Sequence, residues 1–302
     1  MKTDKNLKTT SGESGKIDSE FNLGVKLAND GSYRKALNIF KIILKRNPED
    51  TESRLYVGQI NSKLGFHKDA IEAYRDVIRQ EPNNIRAYVN TAASYGKMGD
   101  FDSAIAYYNS ALDYRGDYFE AILGLAIALA KTNNSDKAIS LYRKAIRIQP
   151  DNAVVYNYLG KSLAKVGRKE EATGCFEKAI DINESYAEAY YNLAVLFAEN
   201  EMPEPAIDFC RKAIEYKMAN FEKAYCLLGT SLSSSGKYKQ AIQALKTAVQ
   251  INPGFVEAQY NLGLTYVLDS DKEAAMSSYK CLNNIDRIRA AKLHDAILEH
   301  FS

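Results

Sequence analysis

An all-α solenoid of antiparallel helix pairs is the fold class this 302-residue sequence predicts. Three observations carry the prediction. The chain repeats itself with a period of thirty-four residues, the length of a helix–turn–helix unit. Within each copy, apolar residues recur at three- and four-residue spacing and so share one helix face. The same register positions are held by small residues in copy after copy, as closely crossing helices require.

The unit is clearest between Tyr156 and Ala179. Tyr156, Leu159, Gly160 and Leu163 line one face of a first helix. Gly167 closes it, because a left-handed residue is cheap only for glycine. Ala172, Phe176 and Ala179 then share a face of a second helix. Helices this short are marginal alone, so each needs neighbours. The chain supplies them by repetition. Ala172 has counterparts at Ala36, Ala70, Ala104, Ala138, Ala206, Ala241 and Ala275. Gly160 has counterparts at Gly24, Gly58, Ala92, Ala126, Ala194, Gly229 and Gly263. The apolar position before it holds Leu23, Val57, Leu125, Leu159, Leu193, Leu228 and Leu262, with Thr91 as the departure. The large position of the second helix holds Phe40, Tyr74, Tyr108, Tyr142, Phe176, Cys210, Leu245 and Tyr279. Small residues on one side let the helices approach, and the rings fill the space between.

Taken in order, residues 1–16 are polar and charged with one leucine, too little apolar surface to offset ordering entropy, and are expected to be a disordered tail. Eight repeats follow, at 17–50, 51–84, 85–118, 119–152, 153–186, 187–221, 222–255 and 256–289. Pro48, Pro82, Pro150 and Pro253 end four of them. His67 in the second is read as a packing residue. The sixth is irregular: Pro203 and Pro205 suit the first turn of its second helix. One extra residue near Met218–Asn220 interrupts the strict period and is expected to alter the local twist. A last helix carries Ile288, Leu293, Ile297 and Phe301 as apolar positions; its part over 290–302 completes a capping helix. Arg287, Arg289, Lys292, His294 and Glu299 give it the polar outer face that a terminal unit needs.

The pattern of Trp/Tyr, Leu, Gly and Tyr in the first helix, with Ala, Phe, Ala and Pro in the second, resembles the tetratricopeptide repeat. The resemblance covers about residues 17–289. This chain departs from it in having no Trp, and in lacking the terminal Pro at Gly116, Glu184, Met218 and Arg287. The resemblance implies a right-handed superhelical α-solenoid whose first helices line a concave groove for peptides or protein surfaces. It also implies which positions face that groove: two, five, nine, twelve and thirteen of each repeat.

Those positions give a specific picture. The fifth and ninth are mostly apolar: Phe21 and Val25, Val89 and Ala93, Leu123 and Ile127, Tyr191 and Val195, Tyr260 and Leu264. The twelfth is small in seven repeats, which leaves room for a guest. The thirteenth is lysine in four consecutive repeats, Lys63, Lys97, Lys131 and Lys165. That column either steers an acidic segment or favours the helix macrodipole. Some relatives clamp a partner's terminal carboxylate with lysine, asparagine and arginine. Asn157 and Lys161, Asn192, and Lys223 resemble that clamp in part, but the first pair is reversed and Leu227 stands where the arginine belongs. Losing the bidentate arginine contact weighs against carboxylate clamping.

Composition excludes several classes. The chain has 40 basic and 38 acidic residues, too balanced for a protein whose affinity rests on phosphate neutralisation, so no nucleic-acid partner is expected. No apolar run is long enough for a membrane span, and the N-terminus lacks the apolar segment of a secretion signal, so a cytoplasmic location is expected. Cys175, Cys210, Cys226 and Cys281 have no metal-binding spacing. Gly160-Lys161-Ser162 imitates a phosphate loop, but Val155 stands where its other glycine belongs. No catalytic set, metal site or cofactor motif is visible. The sequence therefore predicts a non-catalytic scaffold that binds a protein or peptide in its groove. The alternatives are a targeting arm for a separate enzyme, such as a Ser/Thr glycosyltransferase, and a self-assembling homo-oligomer.

Overall fold

The computed structural model describes residues 18–302, and among the described residues the chain is all helix and turn. The expected tail over residues 1–16 lies outside them. The described residues form seventeen helices in two units. The N-terminal unit ends at Ile148 and the C-terminal unit begins at Gln149.

The N-terminal unit holds four helix pairs: α1 (18–29) with α2 (Tyr33–Arg46), α3 (Thr51–Lys63) with α4 (His67–Gln80), α5 (Ile85–Lys97) with α6 (Phe101–Tyr114), and α7 (Phe119–Lys131) with α8 (Ser135–Ile148). The C-terminal unit holds α9 (Ala153–Lys165) with α10 (Lys169–Ile182), α11 (Ala187–Glu199) with α12 (Pro203–Glu215), α13 (Phe221–Ser234) with α14 (Tyr238–Ile251), and α15 (Val256–Leu268) with α16 (Lys272–Asn283). The single helix α17 (Arg287–Phe301) closes it.

Local chemistry sets the helix ends. The side chains of Asp50, Asn84 and Asp100 accept the backbone N–H of Ser53, Ala87 and Ser103, which caps α3, α5 and α6. Asn152, Asp271 and Asp286 do the same in the C-terminal unit. The turn after each first helix uses one left-handed residue at a fixed register position. Glycine fills it five times, at Gly31, Gly65, Gly99, Gly167 and Gly236. Asn133, Glu201 and Ser270 fill it otherwise, and Glu201 bears the strain with φ 57°. Glu201→Gly is expected to raise stability by about 0.5–1 kcal/mol, read as an upward shift in the chemical denaturation midpoint at constant slope.

The small columns are where the helices meet. All eight alanines of the Ala172 column are fully buried. In four repeats the second-helix side chain lies on the glycine of its own first helix: a Cβ at Gly24 would stand 2.8 Å from the Phe40 ring, at Gly58 2.4 Å from Tyr74, at Gly160 2.7 Å from Phe176, and at Gly229 2.5 Å from Leu245. Where the column holds Ala92, the ring of Tyr108 lies over Gly124 of the next first helix instead, 2.2 Å from its would-be Cβ. Thr91, the polar departure, is fully buried, and its hydroxyl donates to the Ala87 carbonyl at 2.7 Å.

The irregular repeat and the last helix show where the sequence reading holds and where it fails. The extra residue of the sixth repeat is taken up in the turn after α12: Lys217 turns left-handed, and Met218 is buried beside Ala213 and Ala224. Met218 thus packs where a terminal proline was missed. In α17 the buried apolar residues are Ala290, Leu293 and Ile297, whereas Ile288 is 74% exposed and is no core residue. Leu293 fills the place that a second-helix ring takes elsewhere, 2.3 Å from a Cβ built at Gly263. Tyr279 is freed for His294, their rings 4.9 Å apart, so His294 is a packing residue and not part of the polar face.

Candidate peptide-binding clefts

The N-terminal unit contains a cleft of about 400 Å³ between α5, α6 and α7. Its walls are Ala93, Gly96, Phe101, Ala104, Tyr108, Gly124, Ile127 and Ala128, and Lys97 and Lys131 stand at its edge. The sequence makes this hollow in two steps. Small residues at Ala93 and Gly96 remove side-chain volume from α5. Ala92 then pushes the Tyr108 ring toward Gly124, where it forms part of the wall. Its hydroxyl is pushed up to about 12 by burial and stays neutral at physiological pH.

Lys97 and Lys131 are each the last residue of their helix and are exposed, as is Lys63 at the end of α3. They therefore face the negative helix end while they edge the cleft. The lining includes no carboxylate. Leu123 is half-buried on α7, one residue before the lining begins at Gly124. Phe21 packs edge-on to the rings of Phe40 and Tyr56, at 5.6 and 5.5 Å, so the chain's own aromatics fill the first repeat's floor.

The C-terminal unit contains a cleft of about 550 Å³ between α11 and α13. Tyr191, Val195, Ala198, Cys226, Leu227, Thr230 and Phe255 line it, together with Lys223, Glu199 and Glu257. Its charge is therefore mixed. The Cys226 thiol is pushed up to about 12 by burial, with Glu257 adding to the shift. It is a neutral thiol at physiological pH, and a thiolate is what nucleophilic chemistry needs. Burial likewise pushes the Tyr191 hydroxyl up to about 12.

The asparagines of the expected clamp are engaged with the protein itself. Asn157 is 5% exposed. Its amide donates to the Tyr186 hydroxyl at 3.2 Å, and its oxygen accepts from Asn192 at 2.7 Å. The pair ties α9 to α11 instead of presenting amides to a guest. Lys161 and Lys165 are exposed on α9, and Lys165 ends that helix. Among the described residues no group of three or more His, Cys, Asp or Glu is placed to hold a metal. No described helix is long and apolar enough to cross a membrane.

Reading the sequence by columns missed a feature that lies along rows. In the third repeat Tyr88, Tyr95, Tyr107 and Tyr114 are all aromatic; in the sixth, Tyr190, Phe197, Phe209 and Tyr216 hold the same four register positions. Each set forms a continuous ladder. Tyr95–Tyr107, Tyr88–Tyr107 and Tyr88–Tyr114 have centroids 5.5, 6.3 and 5.6 Å apart. The matching pairs of the sixth repeat are 5.4, 6.3 and 5.4 Å apart. No other repeat has more than two aromatics at these positions.

Comparison with known proteins agrees with this architecture. Family models described as tetratricopeptide repeat match residues 21–85, 89–153 and 159–222, and residues 141–173. A further model described as TPR repeat matches residues 229–269. No curated protein matches the sequence. Among solved structures, the chain is similar to one in the crystal structure of the APC/C hetero-tetramer Cut9–Hcn1, with 18% identity and a TM-score of 0.67. That match covers 88% of this chain and 52% of the other, so this chain spans about half its length. A tetratricopeptide repeat protein from Parabacteroides merdae matches with 17% identity and a TM-score of 0.66, over 82% of this chain and 98% of its own. YrrB, a TPR protein with an unusual peptide-binding site, matches with 23% identity and a TM-score of 0.52, over 62% and 97%. At these identities the likeness speaks for the fold alone.

Proposed function

The chain belongs to the tetratricopeptide repeat family, and from that premise we propose that it is a non-catalytic scaffold holding a protein or peptide segment in the clefts between its first helices. One observation carries the reading: an apolar hollow lined by Ala93, Gly96 and Ile127 is edged by two lysines and no carboxylate. An apolar concavity of this kind favours side chains removed from water. The lysines select among such segments by charge. Neighbouring helices lie roughly 10 Å apart, about one Debye length at physiological salt. Lys97 and Lys131 therefore repel one another weakly, and both act on an incoming acidic segment. The cleft of the C-terminal unit, lined by one lysine and two glutamates, offers apolar contact without that bias.

The test uses a labelled synthetic peptide with one leucine flanked by glutamates. Lys97→Glu combined with Lys131→Glu is expected to weaken its binding by roughly tenfold and to flatten the salt dependence. Both lysines are exposed, so the fold should persist, which circular dichroism checks. Unchanged affinity and salt slope in a folded variant would remove the electrostatic selection. Light scattering over a range of concentrations separates this reading from self-association, which would shift mass without any peptide.

A further inference from the structure

A cleft that the inner-groove reading leaves out lies in the N-terminal unit, between the second helices α4 and α6. It measures about 740 Å³ and shares no lining residue with the cleft of α5–α7. Ile71 and Ile78 of α4 and Met98 after α5 supply its apolar surface. Tyr95 and Tyr107, one end of the third repeat's aromatic ladder, form its wall. Lys68, Arg75 and Arg79 line it against the single acid Glu72.

Arg75 is held in place. Its Nε donates to the Tyr107 hydroxyl at 3.0 Å and its Nη2 to the Tyr95 hydroxyl at 2.6 Å. Its guanidinium carbon lies 5.8 and 6.0 Å from the centroids of those rings. Two of five donors are thereby used; the rest are left for an acceptor in the cleft. Arg79 pairs with Asp76, but among the described residues neither Arg75 nor Lys68 has a carboxylate partner. A fixed guanidinium beside apolar surface is pre-organised for a carboxylate.

We propose that this cleft is a second docking site, which takes an acidic peptide segment carrying a bulky aromatic side chain. The charge balance selects the acid, since Arg79 is paired with Asp76 but Lys68 and Arg75, both without a carboxylate partner, stand against Glu72 alone. Size and lining select the ring: the volume is nearly twice that of the α5–α7 cleft, and Met98 and the tyrosine ring edges are good partners for an aromatic face. The sixth repeat provides an internal contrast. Its ladder has similar ring spacings, but Phe197 and Phe209 stand where Tyr95 and Tyr107 hold Arg75, and the residue one repeat before, in the register of Arg75, is Glu177. With neither the hydroxyls nor the arginine at those positions, the acid-binding arrangement belongs to the first ladder. One arginine and one lysine without carboxylate partners are too few to hold a nucleic-acid backbone at physiological salt.

The chain has no tryptophan, so a peptide tryptophan reports its own environment. The probe is a synthetic peptide with one Trp flanked by glutamates, and the host is the full chain carrying Lys97→Glu and Lys131→Glu, which disables the α5–α7 cleft. A blue-shifted Trp emission with saturable binding is expected. Adding Arg75→Glu should weaken it by roughly tenfold or more, and Lys68→Glu by a smaller factor. Lys68 is exposed, so its variant decides the matter if Arg75→Glu fails to fold. No emission shift in the host, equal binding by folded Arg75→Glu and Lys68→Glu chains, or preference for a single-stranded oligonucleotide would overturn the proposal. If binding is lost in the host but retained by Arg75→Glu alone, the second site is refuted while the inner cleft stands.

Discussion

Gly58→Val is expected to cost about 3 kcal/mol, the upper end of core overpacking. The reason is the absence of any room to move. A Cβ at Gly58 would lie 2.4 Å from Cε1 and 2.7 Å from Cδ1 and Cζ of Tyr74. That ring is itself 2% exposed, packed among Leu55, Ala70, Val77 and Ala87. The clash therefore falls on a buried ring with no solvent to swing into, and a branched side chain adds two more methyl groups. Thermal unfolding should shift down by roughly 5–10 °C for a unit of this size. Gly58→Ala should cost less. Combining Gly58→Ala with Tyr74→Leu should be clearly better than the sum of the two changes, because the added methyl enters space the ring has left. Additive effects, or a wild-type melting curve for Gly58→Val, would show that the helix crossing does not depend on this glycine.

The same contact explains how much of the molecule was legible in the sequence. A glycine or alanine forced by close approach recurs at one register position whatever surrounds it, so the Ala172 and Gly160 columns could be read directly. The turn position was legible at Gly167 but not at Glu201 or Ser270, where packing of the flanking helices imposes a left-handed residue against its own preference. The candidate site was legible in part. Lys97, Lys131 and Ile127 fall around one cleft because period and helix geometry put them there. Asn157, in the register of Leu123, is sealed by Tyr186 and Asn192, a hydrogen-bond pattern that spans repeats and leaves no trace in spacing. The aromatic ladders were visible as residue types; a reading down columns hides a feature that belongs to two rows.

Raising the pH from 9 to 10 is expected to lower the stability of the C-terminal unit by roughly 2 kcal/mol. Burial pushes the Cys210 thiol up to about 12, with Cys226 adding to it. The Cys226 thiol is also pushed up to about 12, by burial first and Glu257 second, against a weak opposing contact from the Asn261 amide at 3.9 Å. In the unfolded chain both thiols titrate near about 8.5. Above that pH the unfolded state has lost two protons that the folded state keeps. Each such proton lowers the unfolding free energy by about 1.4 kcal/mol per pH unit. The stability these thiols contribute is thus whole below about pH 8 and is lost progressively toward pH 12. Tyr191 joins above about pH 10, its unfolded value, since its hydroxyl is also pushed up to about 12. Urea denaturation at pH 8, 9 and 10 under reducing conditions measures the slope. Cys210→Val with Cys226→Ala should flatten it over that range, leaving only the tyrosine-linked loss at higher pH. An unchanged slope in that variant would mean the thiols are not held neutral. The cleft wall at Cys226 would then be an ionisable surface, and the case for a passive, apolar receptor in this unit would fail with it.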